Sequence, residues 1–286
     1  MSVFARVSEG LAPVLALALW AGVGSAQTAP PARVVSMNLC TDQLALMLAA
    51  PGQLISVSYL AHDGAVAPLR EAARALPANR GLAEEIYLLD PDLVLAGRYS
   101  TVATVAMLNR LGVPVIRFEP EASLDDIEGA LAHMGSALGR EAEAQALIAG
   151  FRADRARLAA FLRDARAGTE GPRAVLYSAR GWTGGSQTLS GDILRAAGLR
   201  NLADELGFVW GGMLGLEALL MADPDRLILG SDTQAGWSEA RALLRHPALR
   251  QSRAYRAGVA TNDRDWVCGT PHVLAAIARL IEETAP

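Results

Sequence analysis

One long stretch of helical sequence divides this chain into two parts. Residues 140–167 contain no proline and a single glycine, and apolar side chains such as Leu147, Phe151 and Leu158 recur there at helical spacing. A helix of that length would measure about 42 Å. The glycines and the proline of residues 168–172 then end it. A helix this long in a chain of 286 residues predicts two folded units with a stiff connection between them.

Short β-rich runs alternate with helical patterns on both sides of that stretch. This alternation is typical of α/β units with a parallel sheet. The predicted strands are residues 34–36, 54–57, 93–95, 115–118, 174–177, 227–229 and a run near Val259. The predicted helices are residues 41–48, 82–89, 101–111, a helix starting at Ser123, 192–197, 238–244 and 271–282. The sequence therefore predicts an α/β fold with two blocks joined by one long helix.

A repeated segment relates the two blocks. Glu84 is followed by Asp90-Pro91 and then by an apolar strand, and Glu217 is followed at the same spacing by Asp223-Pro224 and a second apolar strand. Proline cannot continue a helix, so in each copy a helix ends and a strand begins. The connector also occurs in unrelated folds, but the matched glutamates favour a duplicated architecture.

Residues 1–26 are typical of a secretory signal peptide. Arg6 precedes an apolar run at residues 11–23, and small residues precede the expected cleavage site before Gln27. The run is shorter than the roughly 20 residues that span a bilayer, although an N-terminal membrane anchor is the alternative. We therefore expect an exported protein.

The composition excludes several functional classes. All 26 basic residues are arginine, so the chain has no lysine for a Walker A loop, a Schiff base or a Ser-Lys hydrolase. The formal charge of −4 argues against a nucleic-acid partner. Gly-x-Ser-x-Gly, His-Glu-x-x-His and Cys-x-x-Cys motifs are also absent from the sequence.

The two cysteines, Cys40 and Cys268, leave three hypotheses open. In an oxidising compartment a disulfide between them is the simplest pairing. Together with His62 and His272 they also have the donor types of a site for a free metal ion. A thiol or metal-dependent hydrolase that uses a cysteine and a histidine is the enzyme alternative.

Aromatic, asparagine and arginine side chains cluster where the predicted strands end. Ligands of open parallel sheets bind at the carboxyl ends of the strands. Aromatic planes with a few arginine donors suit a large, flat or chelated anionic ligand, although each tryptophan alone could equally be packed in the core. The candidate residues are Asn38, Tyr59, Arg98, Tyr99, Arg180, Trp182, Trp210, Trp237 and Trp266.

Several short motifs also follow one another in a characteristic order. They are Arg33-Val34-Val35-Ser36, Ser56-Val57-Ser58-Tyr59, Asp90-Pro91-Asp92-Leu93, the long helix, Gly184-Gly185-Ser186, Trp210, and Asp265-Trp266 followed by Pro271. In this order the chain, from about Arg33 to its end, resembles the periplasmic substrate-binding proteins of ABC importers for iron chelates and vitamin B12.

The resemblance implies two Rossmann-like α/β lobes with a ligand cleft between them. Their expected bounds are residues 27–138 for the N-terminal lobe, 139–168 for the linking helix and 169–286 for the C-terminal lobe. Position matching to cobalamin-binding members implies aromatic ligand contacts at Tyr59, Trp182 and Trp210. Those members carry further tryptophans where this chain has Gly97 and the region of Asn79. The neighbouring Arg80 and Arg98 favour a ligand with anionic groups.

The resemblance also implies a partner and a role. Glu84 and Glu217 match the acidic residues through which the family docks on its permease. The alternative is that they are two surface glutamates without a partner. We expect a monomeric periplasmic protein without catalytic residues, cofactor or protein-bound metal. It would deliver a metal chelate to the permease dimer and its ATPase. A ferric siderophore is the favoured ligand, followed by haem or a corrinoid.

Overall fold

Two separate parallel sheets form the core of the protein. The computed structural model describes residues 29–166, 168–230, 239–261 and 263–284. The expected signal peptide and Trp237 lie outside the described residues. Within the described ranges, no helix has the length and hydropathy needed to cross a membrane.

The N-terminal lobe is built on one of these sheets. Its strands are β1 (Val34–Ser36), β2 (Leu54–Ser58), β3 (Ala78–Asn79), β4 (Leu93–Gly97) and β5 (Val115–Phe118). Its helices are α1 (Leu39–Leu48), α2 (Arg70–Ala73), α3 (Ala83–Tyr87), α4 (Val102–Arg110) and α5 (Leu124–Leu138), and a 3₁₀ turn covers Tyr59–His62. The parallel strands lie in the order β3-β2-β1-β4-β5. β1 and β4 are buried along their whole length, which is typical of parallel strands covered on both faces.

Helix α6 (Glu141–Arg166) joins this lobe to the second one. It begins after Gly139, which ends α5 with a left-handed φ of 66°. Phe151 on α6 is buried, and at the far end Arg166 donates a hydrogen bond to the Thr284 hydroxyl at 3.1 Å. The helix therefore packs on both lobes, and its ends lie within one residue of those predicted for residues 140–167.

The C-terminal lobe is built on the second sheet. Its strands are β6 (Arg173–Tyr177), β7 (Trp182–Thr183), β8 (Arg200–Asn201), β9 (Gly212–Met213), β10 (Arg226–Leu229) and β11 (Val259–Ala260). Its helices are α7 (Leu189–Ala196), α8 (Leu202–Glu205), α9 (Leu216–Ala222), α10 (Pro247–Gln251), α11 (Arg253–Arg256) and α12 (Val273–Thr284), with 3₁₀ turns at Ala179–Gly181, Glu239–Arg245 and Asp263–Asp265. The parallel order is β11-β10-β6-β8, and β7 pairs antiparallel with β9. The predicted fold of two α/β lobes joined by one long helix is thus confirmed.

The end of α3 and the start of β1 are held together by a pair of charged residues. The Arg33 guanidinium donates to the carbonyl oxygens of Leu89 at 2.5 Å and Asp90 at 2.8 Å. The Asp92 carboxylate accepts the backbone N–H of Arg33 at 3.0 Å. Asp90 has a left-handed φ of 50°, which turns the chain from the helix into the strand.

The second lobe repeats these contacts. Asp225 accepts the backbone N–H of Arg173 at 2.9 Å, and the Arg173 guanidinium donates to the Ala222 carbonyl at 3.0 Å. Asp223, the counterpart of Asp90, has a left-handed φ of 40°. The duplication predicted from the Asp-Pro segments therefore includes an arginine at the start of the first strand of each lobe. The comparison of the two sequence segments did not identify these arginines.

The helix predicted over residues 238–244 is a 3₁₀ helix that covers Glu239–Arg245, and Ser238 lies outside the described residues. His246 caps α10 and Pro247 stands at its first turn. A residue before proline is disfavoured in helical conformation, so the preceding segment must end there. Short helical pieces often adopt the tighter 3₁₀ form.

Asp42 is a buried carboxyl that ties α1 to β2. It accepts the Ser58 backbone N–H at 3.1 Å and the Ser58 hydroxyl at 2.5 Å. Burial raises the pKa of Asp42 from its ordinary 3.8 to about 7, because removal from water disfavours the charged carboxylate. The folded protein therefore retains a proton that the unfolded chain releases at lower pH.

We expect this group to make the protein less stable as pH rises from about 4 to 7, since the unfolded state then binds fewer protons than the folded state. Asp42→Asn should remove this contribution. Between pH 5 and pH 8 the free energy of unfolding of the variant, relative to wild type, should rise by roughly 2–3 kcal/mol. Urea denaturation at the two pH values measures it, with the exposed Asp164→Asn as control. If the difference in free energy of unfolding between the variant and wild type does not change with pH, the raised pKa of Asp42 is contradicted.

Candidate ligand-binding site

A cavity of about 440 Å³ opens between the two lobes. It lies where the strand order changes direction in each sheet, next to β1 and β4 in one lobe and β6 and β10 in the other. Asn38 follows β1 and Gly97 is the last residue of β4, while Ser178 and Gly230 follow β6 and β10. All four line the cavity. The point at which the strand order changes direction, the switch point, is the usual ligand position in an open α/β sheet. In this protein the switch points of both lobes face the same cavity.

Apolar and aromatic side chains cover much of the cavity wall, with a few polar groups between them. The lining residues include Asn38, Cys40, Thr41, Leu44, Gly97, Arg98, Tyr99, Phe118, Glu119, Glu121, Leu176, Ser178, Trp182, Leu189, Ser190, Trp266, Val267 and Gly269. Trp182 is 36% exposed and Tyr99 is 84% exposed, so both present aromatic surface to a ligand or to solvent.

Asn38 shapes the wall at the start of α1. Its Oδ1 accepts the backbone N–H groups of Cys40 at 3.0 Å and Thr41 at 3.4 Å, which caps the helix. A Cβ atom at Gly97 would lie 2.8 Å from the Asn38 side chain. Any larger residue at position 97 would displace the cap, which is a physical reason for glycine there.

The charged groups of the wall come from the loops after β4 and β5. Arg98 donates to the Glu119 carboxylate at 2.6 Å, and this hydrogen bond raises the pKa of Arg98. Burial raises the pKa of Glu121 to about 7, although its carboxylate also accepts a hydrogen bond from the Gly269 backbone. The arginine expected to bind an anion is thus already paired, and Glu121 is partly protonated at neutral pH.

Cys40 and Cys268 form a disulfide with a Cα–Cα distance of 5.1 Å. Neither sulfur is therefore available as a metal ligand or nucleophile. The hypotheses of a free metal-ion site and of a thiol hydrolase both need such a cysteine. The His62 Nε2 lies 3.0 Å from the Ala73 carbonyl oxygen, and burial lowers the pKa of His272. In the described part of the chain, no three His, Cys, Asp or Glu side chains are placed to hold a metal ion.

Five of the candidate ligand residues that the structure describes lie elsewhere. Asn79 is buried and its amide donates to Ser36, Ser56 and Val57, so it joins strands instead of facing the cavity. The residues Tyr59, Arg80, Arg180 and Trp210 are exposed and do not line the cavity, and Trp237 lies outside the described residues. Asn38, Arg98, Tyr99, Trp182 and Trp266 do line it.

A family model described as periplasmic binding protein matches residues 34–260. The chain belongs to this periplasmic binding protein family. A cobalamin-binding protein of Halobacterium salinarum is 28% identical to it over 256 residues, which is 87% of this chain and 68% of that protein.

Solved structures of periplasmic binding proteins share the fold. The haem-binding protein RhuT from Roseiflexus sp. RS-1, in apo form, has a TM-score of 0.74 at 24% identity, covering 88% of this chain and 98% of that one. The vitamin B12-binding protein BtuF of Vibrio cholerae has a TM-score of 0.65 at 18% identity, covering 89% and 97%. This periplasmic binding protein is accordingly a substrate-binding component of an importer and not an enzyme.

Several wall residues of this periplasmic binding protein were missed by sequence reasoning. Phe118 is the last residue of β5, and Glu119 and Glu121 follow it, so the rule of strand carboxyl ends applied to them too. Ser190 lies on α7, and no sequence signal distinguished it from other helix residues.

Proposed function

We propose that this protein captures a metal chelate in the periplasm and delivers it to an inner-membrane ABC importer. The proposal rests on the cavity at the two switch points, whose wall contains residues of both lobes. A ligand held between two lobes can be released when they separate. A resident cofactor, a protein-bound metal ion and a catalytic step have no part in the proposal.

The chemistry of the wall supports a ligand with a large apolar or aromatic surface. Leu44, Phe118, Leu176, Leu189 and Trp182 supply apolar area, and burial of such area is the main source of affinity in small-molecule sites. Because Arg98 is paired with Glu119, an anionic group of the ligand would have to compete for that guanidinium. A ferric siderophore is the favoured ligand class, with haem or a corrinoid next, and the relatives described above bind haem or cobalamin.

Tryptophan fluorescence titration tests this proposal. Trp182 and Trp266 line the cavity, and coloured chelates quench indole fluorescence at short distance. The panel consists of ferric desferrioxamine B, hemin and cyanocobalamin, with ferric citrate as a source of weakly chelated iron. Saturable quenching by one of the first three supports the proposal and identifies the class. Quenching by none of them contradicts it.

Trp182→Ala should weaken binding of the quenching compound by roughly 1–3 kcal/mol, since a buried aromatic contact is lost. Isothermal titration calorimetry measures the affinity without relying on that indole. Phe161→Ala is the matched control, because Phe161 is an exposed aromatic residue on α6, away from the cavity. Equal affinities of the Trp182 variant and wild type would remove Trp182 from the site.

Trp210 gives information on ligand size. It is 65% exposed and does not line the cavity, yet a Cβ at the adjacent Gly211 would lie 2.6 Å from the Trp182 ring. Trp210 therefore belongs to the surroundings of the Trp182 wall. Loss of affinity in Trp210→Ala would indicate a ligand that extends beyond the cavity.

The proposed docking face uses the repeated segments. Glu84 and Glu217 lie in the first turns of α3 and α9 and are exposed. One helical turn later, Leu88 is 82% exposed and Met221 is 87% exposed. Each lobe thus presents a carboxylate beside an apolar side chain at an equivalent place, which suits two related permease subunits with basic contact sites.

Export and assembly complete the proposal. Membership of the family supports a periplasmic location, and residues 1–26 are the proposed cleaved signal peptide. The protein is proposed to act as a monomer, since each lobe supplies one half of the docking face.

A further inference from the structure

The lobes are joined by a disulfide in addition to helix α6. Cys40 lies in the first turn of α1 in the N-terminal lobe, and Cys268 precedes α12 in the C-terminal lobe. Cys268 is 4% exposed. While the S–S bond is intact, the two lobes cannot separate at this point.

Contacts around the disulfide form a small junction between the lobes. Cys268 packs in an apolar cluster whose other members belong to the N-terminal lobe: Leu39, Cys40, Leu60, Val66 and Ala67. The Arg264 backbone N–H donates to the Ala65 carbonyl at 3.1 Å. The Glu121 carboxylate accepts from the Gly269 backbone. Residues 264–269 are therefore held against the N-terminal lobe by the disulfide and by weaker contacts.

The same junction is part of the cavity wall. Cys40 lines the cavity from one lobe, and Trp266, Val267 and Gly269 line it from the other. Movement of residues 264–269 away from α1 would open this side of the cavity. The disulfide therefore joins two parts of the cavity wall that belong to different lobes.

The two sulfurs differ in access. Cys40 is half-buried and faces the cavity, whereas Cys268 is enclosed by the apolar cluster. A small thiol can therefore approach Cys40 through the cavity, and a ligand in the cavity would block that approach.

We propose that the Cys40–Cys268 disulfide is a redox-sensitive latch that holds residues 264–269 against one side of the ligand cavity and is opened by a small dithiol. One thiolate of the dithiol attacks the Cys40 Sγ, the S–S bond breaks, and Cys268 leaves as a thiolate that takes up a proton. The second thiol of the dithiol attacks the mixed disulfide and releases Cys40. The dithiol is oxidised by two electrons to its disulfide, and the protein gains two thiols.

Hydrogen exchange of the ligand-free full chain tests the latch. With dithiothreitol, amide exchange in residues 264–269 should become at least tenfold faster through local opening, by a larger factor than exchange of the buried β4 amides, which follows the overall stability. Cys40→Ala with Cys268→Ala should show the fast exchange without reductant and no response to it. Unchanged exchange at residues 264–269, measured once alkylation has verified reduction, would overturn the proposal. An equal increase throughout the protein would also overturn it, because the disulfide would then act on overall stability alone.

The effect on retention rests on the proposed function and has its own measurement. For whichever of hemin, ferric desferrioxamine B or cyanocobalamin binds, dissociation should be at least tenfold faster after reduction. Saturation with that compound should slow disulfide reduction by dithiothreitol. Equal dissociation rates before and after reduction would contradict a latch on the cavity. Absence of binding by every compound would contradict the proposed function and leave hydrogen exchange to decide on the latch.

Discussion

Reversing the charge of Glu84 and Glu217 together is expected to abolish uptake of the chelate while its affinity for the protein stays unchanged. Both side chains lie on exposed first turns of helices, and neither lines the cavity. Arginine at these positions would face the basic sites proposed on the permease. Like charges in contact across an interface cost several kcal/mol, enough to prevent docking.

Uptake is measured in cells that lack the wild-type protein and carry the Glu84→Arg and Glu217→Arg variant. Glu141→Arg with Glu282→Arg is the matched control, since it changes the net charge equally at exposed positions of α6 and α12. Normal uptake by the first variant would refute the docking face. Loss of uptake by the control as well would attribute the effect to net charge. The single variants show whether one lobe is sufficient.

Removal of the Cys40–Cys268 disulfide is expected to lower the free energy of unfolding by about 3–5 kcal/mol. The bond closes a loop with a sequence separation of 228 residues, so it strongly restricts the unfolded chain. Alanine suits the comparison, because a serine hydroxyl at position 268 would be buried in an apolar cluster.

Urea denaturation of Cys40→Ala with Cys268→Ala, followed by fluorescence and circular dichroism, measures this loss. Wild type in dithiothreitol should unfold at a similar urea concentration, and the variant should not respond to the reductant. A loss below about 1 kcal/mol would show that the disulfide contributes little through the unfolded state. This stability effect is separate from the local opening that hydrogen exchange detects.

The periodic parts of the fold were predictable from the sequence. Helix α6 and strand β5 were placed to within a residue, because their apolar patterns are long or sharply bounded. The start of α5 at Ser123 was also predicted, and the structure shows a capping box there, in which the Ser123 hydroxyl accepts the Asp126 N–H and the Asp126 carboxylate accepts the Ser123 N–H. Two-residue strands such as β7 and β9 carry no periodicity and were missed.

The candidate site was predicted only in part. Strand ends were known approximately, so loop residues such as Asn38, Arg98 and Trp182 could be placed near a ligand. The sequence pattern did not predict the direction in which each of these side chains points. Asn79 and Trp210 were both predicted to contact the ligand, but Asn79 ends β3 and is buried among strands, whereas Trp210 is exposed to solvent.

The sequence by itself determined that the chain forms two related α/β blocks on one long helix, since periodicity, proline and the repeated Asp-Pro segment act locally. Only the tertiary structure decided which loops meet. Cys40 and Cys268 lie 228 positions apart, and their bond, like the pairing of Glu121 with Gly269, depends on how the lobes face each other. That arrangement results from the packing of α6 on both lobes, a long-range property that local sequence patterns do not contain.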